Sequence, residues 1–504
     1  MVDTLALILE LRPDLCRRFG FDRPERRQAF LAWLVTTGVR EYAALVRDAG
    51  LRQMLAEPSE VAGLTNLQSL VLQGRPDVQA AFPLPEQLAG FLQWFFSYGV
   101  TEHILWPWLL PPEPLPTVHR AFGVNLVGYA FGQLGIGEDA RMAAHALLAA
   151  GVPMTMLNFE PGADIGQNDS SMAQHVSLDG PYAINLFCLT ALETGRYYVE
   201  RGRSQFEGRY NIGYWPWELS RWPAQWQDLI NLVDEVWVST QHTHDALAPV
   251  IAAMARPVPL LVMPMAVELG PVAHAGSSKQ RLRKHFGLPA RACLFCFSFD
   301  LNSSVHRKNP QAVVDAFLQA FPDAGWGSDR VGLMVKVHPP KRRNPAWERL
   351  KALAERDPRI HIVEATLQRP ELLALYRSCD CFVSLHRAEG FGRGIAEALQ
   401  LGLHVITTGY SGNLDFCQQP GLAPQVDLVR YRLVKVRKGQ YPYAADQVWA
   451  NADVPHAASR MRAFADGLAT KKPASTVHPV PEGGWPVFAA STVGQRYRKR
   501  LKGA

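Results

Sequence analysis

The chain has 504 residues, 48% hydrophobic and 19% charged, a composition that excludes a disordered or fibrous protein and allows roughly three globular domains. Its net charge of +6 is spread over 52 lysines and arginines interspersed with 46 acids, which speaks against nucleic-acid binding; its seven cysteines sit mostly in apolar runs without zinc-finger spacing, as reduced core residues do. No apolar run reaches the ~18 residues of a membrane span, and the start, MVDTLALILELRPD, lacks the basic and small-residue pattern of a secretion signal, so a cytoplasmic location is expected.

Residues 1–115 contain an internal repeat. RPDLCRRF (12–19) returns as RPDVQAAF (75–82), and FLAWLVTTGVREY (30–42) returns as FLQWFFSYGVTEH (91–103). In each copy an apolar, aromatic stretch is followed by glycine, the pattern of a helix stopped at its carboxyl end. Neither copy offers a nucleophile or an acid–base pair. The region therefore reads as an α-helical accessory domain that packs or binds a protein partner. WPWLLPPEPLPTV (106–118), with five prolines, reads as the linker that ends it.

From about 120 to 270 short β-rich runs alternate with helical segments, the mark of a Rossmann-like α/β domain. GVNLVGYA is a strand, GQLGIGE (132–138) a glycine turn, DARMAAHALLAAG a helix, and PMTMLNF, YAINLFCL, YNIGYW, EVWVST and VPLLVMPM are further strands. A second α/β run, 275–475, starts at ACLFCFSFD and passes through VGLMVKV, RIHIVEA, CFVSL and HVITT. Residues 476–504 end in a basic helix, VGQRYRKRL, expected to pack back on the first α/β domain; its YRKRL segment is either a solvated helix face or a contact for anionic lipid at a membrane surface. Two such α/β domains should face each other across a cleft, where ligands bind at the carboxyl ends of the strands.

HRAEGFGRGIAEALQLG (386–402) lies between strand CFVSL and a helix starting near Gly392. Unpaired amides at the helix start, with Gly390, Gly392 and Gly394 clearing the approach near Phe391, make an anion site, and Arg393 adds a cation. Glu389 and Glu397 flank it. Carboxylates accept hydrogen bonds from paired hydroxyls, so a nucleotide diphosphate sugar satisfies both features: Glu397 takes the ribose and Glu389 the sugar ring. Upstream, SFDLNSSVHRKNPQAVVDAF (298–317) places Arg307 and Lys308 just before a helix, where two cations would neutralise a departing diphosphate.

These stretches resemble a GT-B glycosyltransferase of the large retaining family 4. The resemblance rests on EGFGRGIAE (389–397), RKNP (307–310), GQLGIGE (132–138) and TTGYSGNLDF (407–416), and covers about residues 120–500. It implies two Rossmann-like domains and metal-independent transfer of a sugar from a nucleotide diphosphate sugar, with retained configuration, to a glycan, lipid-linked or protein acceptor in polysaccharide biosynthesis. No resident cofactor is implied, and the sequence has no Asp-x-Asp for a metal. Glu389, Arg307 and Lys308 are the implied catalytic group; Glu397, Gly390, Phe391, Gly392, Arg393, Asn302 and Ser298 the donor contacts. Asn302 stands where the family carries a cation. In GYWPWELSRWP (213–223), Glu218 stands in the loop that carries a histidine in many members, beside Trp217, and Gly135 and Gly137 complete the acceptor side.

Alternatives remain at the level of sequence. GQLGIGE followed by Glu160 loosely fits an NAD fingerprint, which would make the protein a dehydrogenase-like enzyme or a nucleotide-sugar epimerase. A catalytically silent scaffold working through the helical repeats is a third reading. Tyr214, Trp215, Trp217, Trp222 and Trp226 form either a sugar-stacking platform or core packing, and His306 and His386 read as structural or solvated.

Overall fold

The computed structural model describes residues 3–503 except 104, 110–118, 163–164, 302, 323–324, 339–343, 471–479 and 481–483. Asn302 and most of the proline-rich linker thus lie outside the described residues.

Seven strands make the first sheet: β1 (Ala121–Gly128), β2 (Met154–Asn158), β3 (Val176–Ser177), β4 (Tyr182–Cys188), β5 (Tyr210–Tyr214), β6 (Glu235–Val238) and β7 (Leu260–Val262). Their order is β3-β2-β1-β4-β5-β6-β7, all parallel. Six more make the second: β8 (Cys293–Asp300), β9 (Val331–His338), β10 (Ile360–Glu364), β11 (Cys381–Ser384), β12 (His404–Thr408) and β13 (Val426–Val429). Their order is β10-β9-β8-β11-β12-β13, again parallel. Helices cover both faces of each sheet, which is why strands such as VGLMVKV read as continuous apolar runs. The expectation of two Rossmann-like sheets preceded by a helical region holds.

One polar feature crosses the first sheet. Asn125, Asn185 and Asn211 stand in register on β1, β4 and β5 and pass hydrogen bonds from amide to amide at 2.9 Å, so a slip of one strand would strand buried amides.

The duplicated sequence folds as duplicated structure. Arg12 and Arg75 each precede a helix that begins with proline, Pro13–Phe19 and Pro76–Ala81. Arg12 donates to Asp14 and, at 3.1 Å, to Glu41; Arg75 donates to Asp77 and to Glu102, the residue equivalent to Glu41 in the second copy. The residues flanking the first copy abut the first α/β domain, with Leu7 over Gly195 and Ala43 against Gly202, and the cores are continuous. In the second copy Phe96 and Tyr98 are 54% and 66% exposed, whereas the equivalent Val35 is fully buried.

The last helix, Ala490–Leu501, lies on Gly135–Ala149 so closely that a Cβ at Gly494 would sit 1.9 Å from the Ala146 carbonyl oxygen. Tyr497 donates to the Pro264 carbonyl at 2.9 Å, Leu501 is buried and Arg500 pairs with Glu235, so YRKRL is a packing element of the first domain. No described helix is long and apolar enough to cross a membrane.

Absent from the sequence reading is an antiparallel hairpin, β14 (Tyr431–Lys435) with β15 (Val448–Ala452). Its connecting loop reaches back to the first domain: Gln447 accepts from the Arg221 amide at 3.0 Å and Tyr441 donates to Glu218 at 2.7 Å.

Candidate active site

In each sheet the direction of strand winding reverses at one place, between β1 and β4 and between β8 and β11. Such a switch point leaves a crevice at the strands' carboxyl ends. The three loops singled out above all emerge there: GQLGIGE after β1, residues 301–309 after β8, and 385–392 after β11. The two crevices face each other, so the loops meet across the domain boundary.

At the centre stands Glu389, buried. Lys308 Nζ lies 2.5 Å from Oε1 and Arg307 Nη1 lies 3.0 Å from Oε2. Arg307 also donates to the Ala388 carbonyl and the Ser303 hydroxyl, both at 2.9 Å, and stands 3.6 Å from Glu218. Burial alone would raise the Glu389 carboxyl, but Lys308 and Arg307 outweigh it and hold the group down at about 2. Burial pushes the Lys308 ammonium down while Glu389 supports it. Burial also works against the Arg307 charge, yet Glu389 and Glu218 keep it fully cationic. His386 is a structural residue: burial holds its ring below the usual value, and its nitrogens lie 3.1 Å from Ser384 Oγ and 3.2 Å from Asn413 Oδ1.

The glycine loop is held by close approach. A Cβ on Gly390 would come 2.9 Å from the Trp217 carbonyl of the first domain, and one on Gly412 would come 2.0 Å from the Gly390 carbonyl, which accepts from Thr240 Oγ1 at 2.7 Å. Gly392, at φ +96°, is the N-cap of the helix Arg393–Gln400, which receives no side-chain cap. Its first amides are therefore left for another acceptor. Phe391 packs its ring 5.2 Å from Phe416.

Charges alternate along the domain boundary beside this helix start. Arg369 Nη1 donates to Glu397 at 2.8 Å and stands 3.1 Å from Glu138, while Arg393 pairs with Asp139. Glu138, against the effect of burial, is held below the usual carboxylate range by Arg369, Arg393 and Arg141. Asp139 is pushed up by burial in spite of Arg393. Two guanidinium N–H groups, Arg307 Nε and Arg393 Nη1, are buried without a hydrogen-bond partner among the described residues.

Of the remaining sequence candidates, Ser298 is on β8, where its hydroxyl meets that of Tyr376. Gly135 opens the helix Gly135–Ala149 with nothing within 4 Å of a built Cβ, leaving backbone accessible. Gly137 is a tight-turn requirement, since its Cβ would meet the Gly132 carbonyl oxygen at 2.4 Å. Glu218 is at the boundary, as described. Trp217 needs correction: it is only 3% exposed, donates to the Arg221 carbonyl at 2.7 Å and packs edgewise on Trp222 and Trp226, so the aromatic run is core and not a stacking platform. Arg393, expected to reach for phosphate, has a counter-ion in Asp139, and Glu397, expected to hold hydroxyls, accepts from Arg369. Glu160 is exposed, two residues beyond β2.

Sequence reasoning missed Arg369, Glu138, Asp139 and Tyr441. A signal existed for the first: Arg369 and Arg393 are each the first residue of a helix, where the dipole repels a cation, so nearby acids were required.

Residues 304–419, from the RKNP loop through the helix carrying Glu397, match the family model for glycosyl transferases group 1. No curated protein sequence matches the chain. Among solved structures, a glycosyltransferase from Rickettsia africae ESF-5 is similar at 11% identity over 76% of this chain and 99% of its own, with a TM-score of 0.51. Anabaena Alr3699/HepE, solved with UDP and glucose, is similar at 14% identity over 76% and 100%, TM-score 0.46. The pneumococcal O-GlcNAc transferase GtfA, solved with UDP and GlcNAc, is similar at 11% identity and TM-score 0.38; the match covers 64% of this chain but only 56% of that one. The two parallel sheets and the likeness to the Rickettsia structure give the chain the GT-B fold. Its second α/β domain carries the glycosyl transferases group 1 segment.

Proposed function

We infer that the protein is a retaining glycosyltransferase that moves a sugar from a nucleotide diphosphate sugar to a glycan, lipid-linked or protein acceptor. One observation carries this reading: the uncapped start of the helix Arg393–Gln400 opens at the switch point, and Arg307 and Arg393 each hold a buried N–H with no hydrogen-bond partner among the described residues. Amide dipoles and forked cations in that arrangement are suited to a diphosphate. The group 1 match over the same residues supports the donor class.

In this reading the diphosphate takes the helix start, Arg307, Lys308 and Arg393. Glu389 then accepts from the sugar hydroxyls and Glu397 from the ribose. The bond between the anomeric carbon and the diphosphate oxygen breaks as the acceptor oxygen bonds to that carbon from the same face. The acceptor's proton leaves with the nucleoside diphosphate. Packing of the two domains around the loop excludes water from the oxocarbenium-like state.

A panel of UDP-, GDP- and ADP-sugars, read by nucleotide release and by the anomeric configuration of the product in NMR, tests the proposal. Release from one donor, abolished in Glu389→Gln, is the expected result. Absence of turnover with every donor, together with no nucleotide binding, would overturn it, and an inverted product would overturn the retaining mechanism.

A further inference from the structure

We propose that His274, His285 and Glu371 form a binding site for a divalent cation of the zinc class, independent of the reaction proposed above. His274 lies in the connection between the two α/β domains, His285 ends the helix Lys279–His285, and Glu371 lies in the first turn of the helix Arg369–Arg377. Their potential ligand atoms lie within 4.8 Å of one another. His274 Nε2 is 3.1 Å from Glu371 Oε1, His285 Nε2 is 3.5 Å from Oε2, and the two imidazole centroids are 4.4 Å apart. A tetrahedral ion with bonds of about 2.0–2.1 Å separates its ligand atoms by about 3.3 Å. The two nitrogen–oxygen distances, one to each oxygen of the carboxylate, lie on either side of that value, so a small turn of the carboxylate would present one oxygen to an ion shared with both rings.

The donor set selects the ion. Two imidazoles and one carboxylate suit zinc and its borderline neighbours, whereas magnesium and calcium ask for more oxygens. Three protein ligands leave a fourth position for water. The side chains are 39%, 47% and 34% exposed, so an ion can enter from solvent. Among the described residues no lysine or arginine pairs with Glu371, so its charge is available.

The backbone around the cluster is fastened independently. The Ala273 amide donates to the Pro370 carbonyl at 3.1 Å, and Arg377 donates to the Ser277 carbonyl at 2.8 Å. An ion here would pin the interdomain connection to the helix Arg369–Arg377. The first residue of that helix bridges Glu138 and Glu397, so the pin would steady the domain boundary as well.

Chelator-treated full-length protein, titrated with zinc by calorimetry and with cobalt(II) by visible absorption, decides the matter. One ion per chain and tetrahedral cobalt bands are expected. His274→Ala, His285→Ala and Glu371→Gln should each weaken binding by at least about tenfold, since loss of even an outer-shell partner costs ~10–100-fold. Far-UV circular dichroism should stay unchanged, because none of the three side chains is buried. If no ion binds, or if it binds equally well in all three variants, the cluster is a histidine–carboxylate hydrogen-bond group and the proposal fails.

Discussion

Glu389→Gln keeps the shape of the side chain and removes the negative charge that Arg307 and Lys308 share. The carboxyl is held at about 2 instead of its ordinary 4.5, a difference worth roughly 3 kcal/mol at neutral pH. Leaving cations buried without their partner costs about 3–5 kcal/mol in comparable pairs. Lys308, already pushed down by burial, can shed its proton in the variant, which brings the loss toward the lower figure. For a cooperative unit of 150–250 residues that is a fall in Tm of roughly 6–12 °C. The pH dependence fixes the sign. A depressed carboxylate contributes stability that is complete above its unfolded value, near 4.5, and is lost as pH falls from there through about 2. Thermal melts of the two proteins should therefore differ most near neutrality and converge only as the pH falls toward about 2. A difference that stays constant over that range would show that the charge pair does not hold this loop.

Arg369→Met should remove the cation that pairs with Glu397 and one of those that hold Glu138, loosening the domain boundary; a larger radius of gyration in solution scattering is expected, and an unchanged one would exclude that role. Gly494→Ala pushes a methyl into the Ala146 carbonyl and should lift the last helix, seen as faster proteolysis of the tail; wild-type resistance would contradict the close approach. Asn185→Ala interrupts the amide ladder and should cost about 1–3 kcal/mol in denaturant unfolding, with no loss pointing to a ladder satisfied by water instead.

The sequence exposed the loops and hid their partners, for a physical reason. Glycines, cations and acids that leave a strand's carboxyl end must serve a local geometry, so EGFGRG and RKNP can be read within a window of ten residues. The partners of groups at the site come from far along the chain: Asp139 reaches Arg393 across 254 positions, and the Tyr441 hydroxyl reaches Glu218 across 223. Glu138 and Asp139 looked like ordinary acids in a first helical turn, which favours them for the dipole alone. The hairpin was hidden because β14 is short and largely exposed, and its apolar–polar alternation breaks at Leu433–Val434. The tryptophan run shows the converse, since composition fits a ligand platform and a core equally and only burial separates them.

On the proposed function, a cleft that takes a diphosphate must also remain folded when none is bound. Buried cations without partners are expensive, and here each has a carboxylate: Glu389 for Arg307 and Lys308, Asp139 for Arg393, Glu397 and Glu138 for Arg369. Binding of a diphosphate would then redistribute charge, with stability of the empty protein and affinity for the ligand drawing on the same groups. Asp139→Asn separates the two. It frees Arg393 from its counter-ion, so the empty protein should melt at a lower temperature while nucleoside diphosphates bind more tightly, by up to about tenfold if roughly 1.4 kcal/mol of the released attraction is passed to the phosphate. Opposite movement of the two readouts is the signature of that exchange. If stability and affinity fall together, Arg393 does not reach the phosphate and the helix start works without it.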